Sequence, residues 1–294
     1  MSGPRFQRLA IIGIGLMGSS LARAVKRAGL ARTVVAADHN PAHCDQARAL
    51  GLVDDMVADP RQAAKDADLV MICTPVSTYA EIGERMAPAL KPGAIVSDIG
   101  SVKQAVIRDL GPILPEGVHL VPGHPVAGTE KSGPEAGFAE LFDGRWCILT
   151  PPPGTDPAAT DATRALWEGV GMTVEIMDPG HHDMVLAITS HLPHLIAYTI
   201  VGTATNLEES LKGEVIKYSA GGFRDFTRIA ASDPIMWRDV FLNNREAVLE
   251  MLQRFNEDLT ALQRAIRWGE GQVLEDLFRR TRDIRRGIID AKQA

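Results

Sequence analysis

One histidine lies within a run of small and rigid residues, and its side chain is of a type suited to moving a proton. Residues 121–133 read VPGHPVAGTEKSG, and the glycines and prolines in this run exclude a regular helix or a central strand. Gly123 and Pro125 flank His124, so an imidazole, which titrates near neutral pH, stands on a stiff loop. The segment predicts a histidine in a fixed position, and the rest of the chain must show what it faces.

A glycine pattern near the start of the chain predicts a dinucleotide site. Gly13, Gly15 and Gly18 follow an apolar strand and open a helical segment, with Leu16 and Met17 between the last two. The first glycine permits a tight bend, the second lets the backbone approach a pyrophosphate, and the third lets helix and strand pack closely. The helix N-terminus then offers N–H groups to the phosphates. A tight turn without a ligand is the less favoured alternative.

An acidic residue at the end of the next strand indicates which dinucleotide binds. Asp38 follows Gly18 by 20 residues (38 − 18), the usual separation for a carboxylate that binds the adenosine ribose hydroxyls. This carboxylate would repel a 2′-phosphate, and His39 and Asn40 provide no arginine to offset it. We therefore expect NAD as the cofactor, with NADP the less favoured alternative.

Two later strand ends are expected to reach the same site, because ligands of open parallel sheets bind beyond the carboxyl ends of the strands. Thr74 and Pro75 end one apolar run, and the proline turns the chain outward near the nicotinamide half of the cofactor. Ser101 ends another run, where its hydroxyl is expected to cap the following helix, to contribute to the site, or to do both.

Histidines recur in a long apolar helix candidate that begins at residue 181, HHDMVLAITSHLPHLIAYTIVGTATN. His191 and His194 share one side of this helix, and Pro193 between them predicts a kink. A metal site with His182 and Asp183 is disfavoured, because residues 182 and 191 lie about two and a half helical turns apart. Histidines that border a ligand cleft are favoured, and histidines satisfied within a core are the remaining alternative.

An arginine pair follows two glycines in the segment GGFRDFTRIAASDPIMWRDVF, residues 221–241. Arg224 and Arg228 lie four apart on one predicted helical face, and the planar guanidinium fork suits carboxylates. Carboxylate recognition and a surface salt bridge, for example between Asp225 and Arg228, are equally compatible with the sequence.

Alternating strands and helices must position these residues. The predicted strands are RLAIIGIG (8–15), TVVAADHN (33–40), LVMICTP (69–75), AIVSDIGS (94–101), HLVPGHP (119–125), WCILTP (146–151) and TVEIMDP (173–179). Continuous apolar strands that alternate with helices are typical of an α/β fold with a doubly wound (Rossmann-type), mostly parallel sheet. We expect a dinucleotide-binding domain over residues 1–179 and an all-helical substrate and dimerisation domain over residues 180–294.

Composition limits the classes of partner. The 294 residues carry a net charge of −6, which argues against a nucleic-acid binder. Cys44, Cys73 and Cys147 are odd in number and widely spaced, which favours a reduced, cytoplasmic protein. Outside the glycine-rich start, no run approaches the ~18 apolar residues of a membrane span, so no membrane partner is expected.

The last part of the chain predicts self-association. Apolar residues recur at coiled-coil-like spacing on what the pattern predicts as one long helix, at Phe241, Val248, Leu252, Phe255, Leu259, Leu262 and Ile266. Such a seam must pack against another helix. We therefore expect a homodimer built through the C-terminal helices.

Five segments in this order and spacing, GIGLMGSS, DIGSVK, GHPVAGTEKSG, SHLPH and GGFRDFTRIAASDPIMW, together resemble the prephenate/arogenate (cyclohexadienyl) dehydrogenase family of tyrosine biosynthesis. The resemblance covers nearly the whole chain. It implies NAD-dependent oxidative decarboxylation of prephenate, arogenate or both, giving 4-hydroxyphenylpyruvate or tyrosine: hydride leaves C4 of the ring and carbon dioxide leaves C1. It implies a small-molecule substrate and no metal, and it leaves the choice between the two substrates open.

The resemblance also implies roles for individual residues. His124 would accept the proton of the C4 hydroxyl, and Ser101 would lie beside the same hydroxyl and the nicotinamide. Arg228 would bind a substrate carboxylate, with His194 lining the pocket. Further motif positions would shape or gate the pocket, namely Thr129, Glu130, Gly221, Asp225 and Trp237.

Two other interpretations remain. A hydroxyacid dehydrogenase of related two-domain architecture would need a catalytic lysine on a helix at the cleft, and it leaves the histidine and arginine pairs unexplained. A non-catalytic sensor would bind NAD(H) without turning over any cyclohexadienol.

Overall fold

The computed structural model describes residues 4–129, 131–206, 214, 217 and 221–290. Its strands are β1 (Phe6–Ile12), β2 (Ala31–Ala37), β3 (Asp55–Val57), β4 (Leu69–Ile72), β5 (Ile95–Asp98), β6 (His119–Leu120), β7 (Gly123–Pro125), β8 (Trp146–Leu149) and β9 (Thr173–Ile176). Its α-helices are α1 (Leu16–Ala28), α2 (Pro41–Ala49), α3 (Pro60–Ala64), α4 (Tyr79–Met86), α5 (Lys103–Leu110), α6 (Pro157–Gly169), α7 (Pro179–Leu186), α8 (Leu192–Thr205), α9 (Gly221–Thr227), α10 (Pro234–Asn243), α11 (Arg245–Trp268) and α12 (Gly271–Asp290).

The first sheet is parallel, with six strands in the order β3-β2-β1-β4-β5-β6. Alternate residues of β1 enter two separate cores: Leu9 and Ile11 pack on one face of the sheet, Ala10 and Ile12 on the other. Burial on both faces explains why the strands read as continuous apolar runs. The order reverses between β1 and β4, and such a switch point opens a ligand crevice at the carboxyl ends of the strands. The α/β class with a parallel doubly wound sheet is confirmed.

The predicted strand over residues 119–125 is two strands in two sheets. β6 ends the parallel sheet, whereas β7 pairs antiparallel with β8, which pairs in parallel with β9. Pro122 lies between them and has no N–H to continue the first ladder. His124 therefore stands on an edge strand of a second, three-stranded sheet. The short strand β3 was not predicted at all.

The apolar helix of the second half is interrupted where Pro193 predicts a disturbance. The disturbance is a π-helical turn, Ala187–His191, between α7 and α8. The whole stretch Pro179–Thr205 has the length and composition of a membrane span, with a mean hydropathy of 1.5 in its most apolar window. The expectation that no such run follows the glycine-rich start is therefore wrong. Core helices of soluble proteins pass the same test, and His182, Asp183 and His191 of this stretch are buried polar residues.

The predicted apolar seam does not lie on one helix. Phe241 belongs to α10, and the other six positions lie on α11. Asn244 separates the two helices, because its side chain turns inward to hydrogen-bond the backbone oxygen of Asp183. By compactness the chain divides into two units, Met1–Arg245 and Glu246–Ala294. The second unit consists of α12 and all but the first residue of α11.

Candidate active site

The glycine turn after β1 has the shape of a dinucleotide cradle. Gly13 has φ +95°, a conformation that side chains disfavour, and it packs against Cys73 and Thr74 at the end of β4. A Cβ on Gly18 would lie 2.0 Å from the carbonyl oxygen of Gly13, so only glycine allows α1 to pack this closely on the turn. A Cβ on Gly15 would meet nothing within 4 Å. The open space at Gly15 lies where a pyrophosphate would approach.

The start of α1 is left free for an anion. Gly15 is the N-cap and provides no side-chain cap, and the first turn of α1 contains no acidic residue. The partial positive charge of the helix end and its N–H groups, including those of Leu16 and Met17, are therefore available. These features fit the diphosphate of NAD.

Asp38 is held at the end of β2 with its carboxylate oriented by the backbone. One carboxylate oxygen accepts the N–H of Ile14 at 2.9 Å, and the other accepts the N–H of Asn40 at 2.9 Å. The side chain is almost fully buried. A cleft of about 540 Å³ lies beside it, lined in part by Asn40, His43 and Gln46. The arrangement suits an adenosine ribose and its base.

A chain of three polar side chains runs away from the predicted catalytic histidine. Nδ1 of His124 lies 2.9 Å from Nε2 of His182, and Nδ1 of His182 lies 2.8 Å from Oδ1 of Asp183. The two imidazole rings meet edge to face. All three side chains are buried. The histidine of β7 is thus joined to the start of the helical half.

Asp183 in turn caps the N-terminus of α5. Its Oδ1 accepts the N–H of Lys103 at 2.7 Å, and its Oδ2 accepts the N–H of Gln104 at 2.9 Å. The prediction that Ser101 caps this helix is therefore wrong. The helix begins two residues later, after Val102, and a carboxylate from α7 satisfies its first N–H groups. Ser101 is half-buried in the short link between β5 and α5.

A buried ion pair contacts Gly123, the residue before His124 on β7. Nζ of Lys103 is 2.6 Å from Oδ2 of Asp98 and 2.6 Å from the carbonyl oxygen of Gly123. Oδ1 of Asp98 accepts the N–H of Gly123 at 3.1 Å. The ion pair therefore hydrogen-bonds both the N–H and the carbonyl oxygen of Gly123, the residue before His124. Burial lowers the pKa of Lys103, and Asp98 opposes that shift.

His124 is a neutral imidazole near neutral pH. Burial lowers its pKa well below the usual value, and the neighbouring charges of His182, Lys103 and His191 lower it further. Burial also lowers the pKa of His182, although the hydrogen bond to Asp183 opposes this shift. The geometry can therefore present a proton acceptor in a site with little access for water.

The predicted pocket residues of the helical half form a second cluster. Trp237 stacks on His194 at 3.6 Å between ring centroids and meets His191 edge to face at 6.0 Å. Burial lowers the pKa of His194, and the positive charge of Arg228 lowers it further, which places the guanidinium in the electrostatic reach of this ring. Nε1 of Trp237 and Nε2 of His191 are buried without a hydrogen-bond partner among the described residues.

The remaining predicted residues lie closer to the surface. Thr74 is half-buried and accepts a hydrogen bond from the Thr78 hydroxyl at 2.8 Å, and Pro75 is exposed beside it. Thr129 is exposed and accepts the N–H of Lys131 at 3.2 Å.

In α9, Gly221 is half-buried, and Asp225 contacts Arg224 at 3.3 Å. Arg228 opens the 3₁₀ turn after α9. Glu130 lies outside the described residues.

Sequence reasoning missed Lys103, Asp98 and the capping role of Asp183. The sequence contains these residues in recognisable motifs, but it does not show that they meet. The strand end DIGSVK contains both members of the ion pair, and HHD contains the relay residues, but 80 positions separate Lys103 from Asp183. Among the described residues, no group of three or more His, Cys, Asp or Glu side chains is arranged to hold a metal ion.

A doubly wound sheet with a glycine cradle, an acidic residue after β2 and a buried histidine on β7 defines the class: a dinucleotide-binding oxidoreductase with a helical C-terminal part. Residues 21–176 match the family model described as the nucleotide-binding domain of prephenate dehydrogenase, and residues 178–280 match its dimerization domain. The chain belongs to the prephenate dehydrogenase family.

Individual relatives agree with this assignment. The chain is 44% identical over 280 residues to a cyclohexadienyl dehydrogenase from Zymomonas mobilis, covering 95% of both proteins. It is also similar to the crystal structure of prephenate dehydrogenase from A. aeolicus in complex with hydroxyphenyl propionate and NAD+, with a TM-score of 0.90, 37% identity, and coverage of 96% of this chain and 98% of that one. The crystal structure of Synechocystis arogenate dehydrogenase matches with a TM-score of 0.80, 27% identity and coverage of 95% and 98%.

Proposed function

We propose that this protein catalyses the NAD-dependent oxidative decarboxylation of prephenate, arogenate or both, as a step of tyrosine biosynthesis. The observation that carries the proposal is the buried His124, whose pKa burial lowers well below the usual value and whose preceding residue, Gly123, packs against Asp98 at the carboxyl end of β5. The relatives named above act on these cyclohexadienols or bind a product-like phenol, and they share nearly the full length of the chain.

The proposed cofactor site follows from the cradle. The open space at Gly15 and the start of α1 bind the diphosphate, and Asp38 accepts hydrogen bonds from the ribose hydroxyls. NADP is disfavoured, because its 2′-phosphate would meet the carboxylate that the N–H groups of Ile14 and Asn40 hold in place. Thr74 and Pro75, at the end of β4, are proposed to line the nicotinamide half.

In the proposed reaction, NAD supplies the hydride acceptor. His124 accepts the proton of the C4 hydroxyl while the hydrogen on C4 leaves with its electrons. The bond from C1 to the carboxylate then breaks, carbon dioxide leaves, and its electrons complete the aromatic ring. The oxygen on C4 regains a proton as the phenol forms, so His124 ends the cycle neutral. Ser101 is proposed to donate a hydrogen bond to the same oxygen.

The substrate's carboxylates are proposed to bind in the second cluster. Arg228 supplies a cation beside His194, which Trp237 holds by stacking. The N–H groups of His191 and Trp237 that lack partners among the described residues would find acceptors on the substrate. Thr129, Glu130, Gly221 and Asp225 remain proposed for shaping the pocket.

The experiment that tests this function is steady-state kinetics with prephenate and arogenate, each with NAD and NADP. We expect turnover with at least one cyclohexadienol and a higher kcat/KM with NAD. His124→Asn should lower kcat roughly 10²–10⁴-fold if general-base catalysis operates. Arg228→Ala should mainly raise KM, because its contact to a carboxylate exists before the transition state and in it. Near-normal kcat in His124→Asn would refute the role of the base.

No observation favours the two alternative functions, a hydroxyacid dehydrogenase or a non-catalytic NAD(H) sensor. Lys103 is a helix lysine near the site, but it is fully buried and bound to Asp98, so it does not resemble the catalytic lysine that a hydroxyacid dehydrogenase requires. A likeness to 3-hydroxyisobutyrate dehydrogenase from Salmonella typhimurium, with a TM-score of 0.52 and 18% identity, shows the fold alone.

The protein is proposed to act as a cytoplasmic homodimer through its C-terminal helices. The family model for residues 178–280 is described as a dimerization domain. Apolar side chains are exposed along α11 and α12, among them Ile266 at 67%, Trp268 at 71% and Phe278 at 56%. The three cysteines are free thiols, which supports a reducing compartment. A monomer mass by light scattering at micromolar concentration would contradict the dimer.

A further inference from the structure

We infer that His182 and Asp183 hold His124 in the one neutral tautomer whose Nε2 can accept a proton. Neither residue needs to touch the substrate, so both are positioning residues. The inference rests on the function proposed above, because it explains how His124 is prepared to act as its base.

Asp183 can only accept hydrogen bonds in this arrangement. Its Oδ1 and Oδ2 each receive a backbone N–H from the start of α5, at 2.7 and 2.9 Å. A backbone N–H is always a donor, so both oxygens are acceptors and neither bears a proton toward its partner. Oδ1 also lies 2.8 Å from Nδ1 of His182. The proton in that contact must therefore be on His182 Nδ1.

The same logic transfers the assignment to His124. A neutral imidazole with a proton on Nδ1 has a lone pair on Nε2. Nε2 of His182 is thus an acceptor, and Nδ1 of His124, 2.9 Å away, must donate to it. Because His124 is also neutral, its own Nε2 has no proton. Nε2 takes no part in the hydrogen bonds that run to His182 and Asp183, so it can receive the proton of a hydroxyl.

The opposite tautomer would leave two acceptors facing each other in a buried site. With its proton on Nε2, His124 would direct a lone pair at the lone pair of His182. If His182 also exchanged its proton, the conflict would move to the contact with Asp183. A buried polar group left without its partner costs enough to disfavour the wrong tautomer roughly 10- to 100-fold. The helix cap thus determines which nitrogen of His124 acts as base.

The hydrogen bonds from His124 through His182 to Asp183 also stabilise His124 after it has accepted a proton. The resulting imidazolium would donate from Nδ1 into a series of hydrogen bonds that ends on the negative charge of Asp183. The other ionisable groups that face this chain are Lys103, Asp98 and His191. Lys103 and His191 oppose a positive charge on His124, so the path to Asp183 is the favourable one.

The direct test is the protonation of each imidazole nitrogen in the full-length protein, measured without substrate. The protein would be labelled with ¹⁵N-histidine, and long-range ¹H–¹⁵N correlations recorded at pH 7.5, with His124 assigned through His124→Asn. We expect His124 to carry its proton on Nδ1. In His182→Phe this preference should disappear, whereas His181→Phe, an exposed neighbour on α7, should leave it unchanged. A proton on Nε2 in the unmodified protein, or the same tautomer in His182→Phe, would overturn the inference.

Kinetics give the second readout. His182→Phe should lower kcat roughly 10²–10⁴-fold, with little change in KM or in the Kd for NAD. His182→Gln should recover part of this loss, because its amide oxygen can accept from His124. If the unmodified protein turns over neither prephenate nor arogenate, the proposed function fails while the tautomer measurement still decides the inference. If it does turn over and His182→Phe keeps a normal kcat, the inference fails alone.

Discussion

His191 should set part of the acid sensitivity of this protein's stability. The side-chain amide of Asn244 donates one hydrogen to the carbonyl oxygen of Asp183 at 2.8 Å and the other to Nδ1 of His191 at 3.0 Å. Protonation of His191 would place a second donor against that amide. The amide cannot reverse without losing its bond to Asp183. This conflict adds to burial, which lowers the pKa of His191 from 6.5 to about 4.

The size of the effect follows from the two pKa values. The folded-state pKa is lower than the unfolded one, so the stabilising contribution is complete above pH 6.5 and is lost as pH falls through about 4. A difference of 6.5 − 4, at about 1.36 kcal/mol for each pKa unit, corresponds to about 3 kcal/mol. Between these limits the free energy of unfolding should fall by up to about 1.4 kcal/mol per pH unit through this residue alone.

The assay is urea unfolding at intervals from pH 7.5 to pH 4, in the absence of nucleotide. His191→Gln removes the titrating group, so its unfolding free energy should fall less steeply with acid than that of the unmodified protein, by about 3 kcal/mol over the range. The comparison uses the slope, because the substitution also changes stability at neutral pH. His181→Gln, at an exposed position ten residues earlier, should retain the full slope. Equal slopes in the unmodified protein and His191→Gln would refute the reasoning.

Three further predictions concern the ion pair and the cradle. Lys103→Met should lower the free energy of unfolding by about 3–5 kcal/mol, because it leaves the buried carboxylate of Asp98 unpaired. Removing the charge of Lys103 should also raise the pKa of His124, which would appear as an upward shift of the acid limb in the pH profile of kcat/KM. Gly18→Ala should prevent stable folding, since its Cβ would lie 2.0 Å from the oxygen of Gly13; Gly15→Ala should unfold at nearly the same urea concentration yet bind NAD at least 10-fold more weakly in calorimetry. Asp38→Ala should raise the ratio of kcat/KM for NADP to that for NAD by at least 10-fold, and an unchanged ratio would show that this carboxylate does not select the cofactor.

Much of the dinucleotide-binding half is predictable because its signals are local. A glycine with positive φ, a helix that starts without a side-chain cap and an acidic residue after the second strand all lie within 38 − 13 = 25 positions. Strands buried on both faces show themselves as unbroken apolar runs. The predicted fold class follows from such patterns, whereas the predicted family follows from the resemblance of five motif segments along the chain; both are confirmed.

Errors arose where a neighbouring element, distant in sequence, decided the outcome. Ser101 has the residue type of a helix cap, but a carboxylate from α7 occupies that position. Phe241 has the spacing of the C-terminal seam, but it lies on a separate helix. The helix break falls at Asn244, whose side chain hydrogen-bonds the backbone oxygen of Asp183 and Nδ1 of His191. In each case an inward-facing polar side chain satisfied a buried backbone group, and local propensity could not anticipate it.

The sequence by itself determined the class of the protein, the cofactor cradle and the presence of a histidine in a rigid segment, because each depends on residues adjacent along the chain. Only the tertiary structure decided which nitrogen of that histidine is left without a proton. The protonation of His124 is set by its hydrogen bond to His182, which in turn donates to Asp183. Asp183 accepts the N–H groups of Lys103 and Gln104, which lie 80 and 79 residues before it in the sequence. Hydrogen-bond direction depends on which donor meets which acceptor in space, and folding alone brings those groups together.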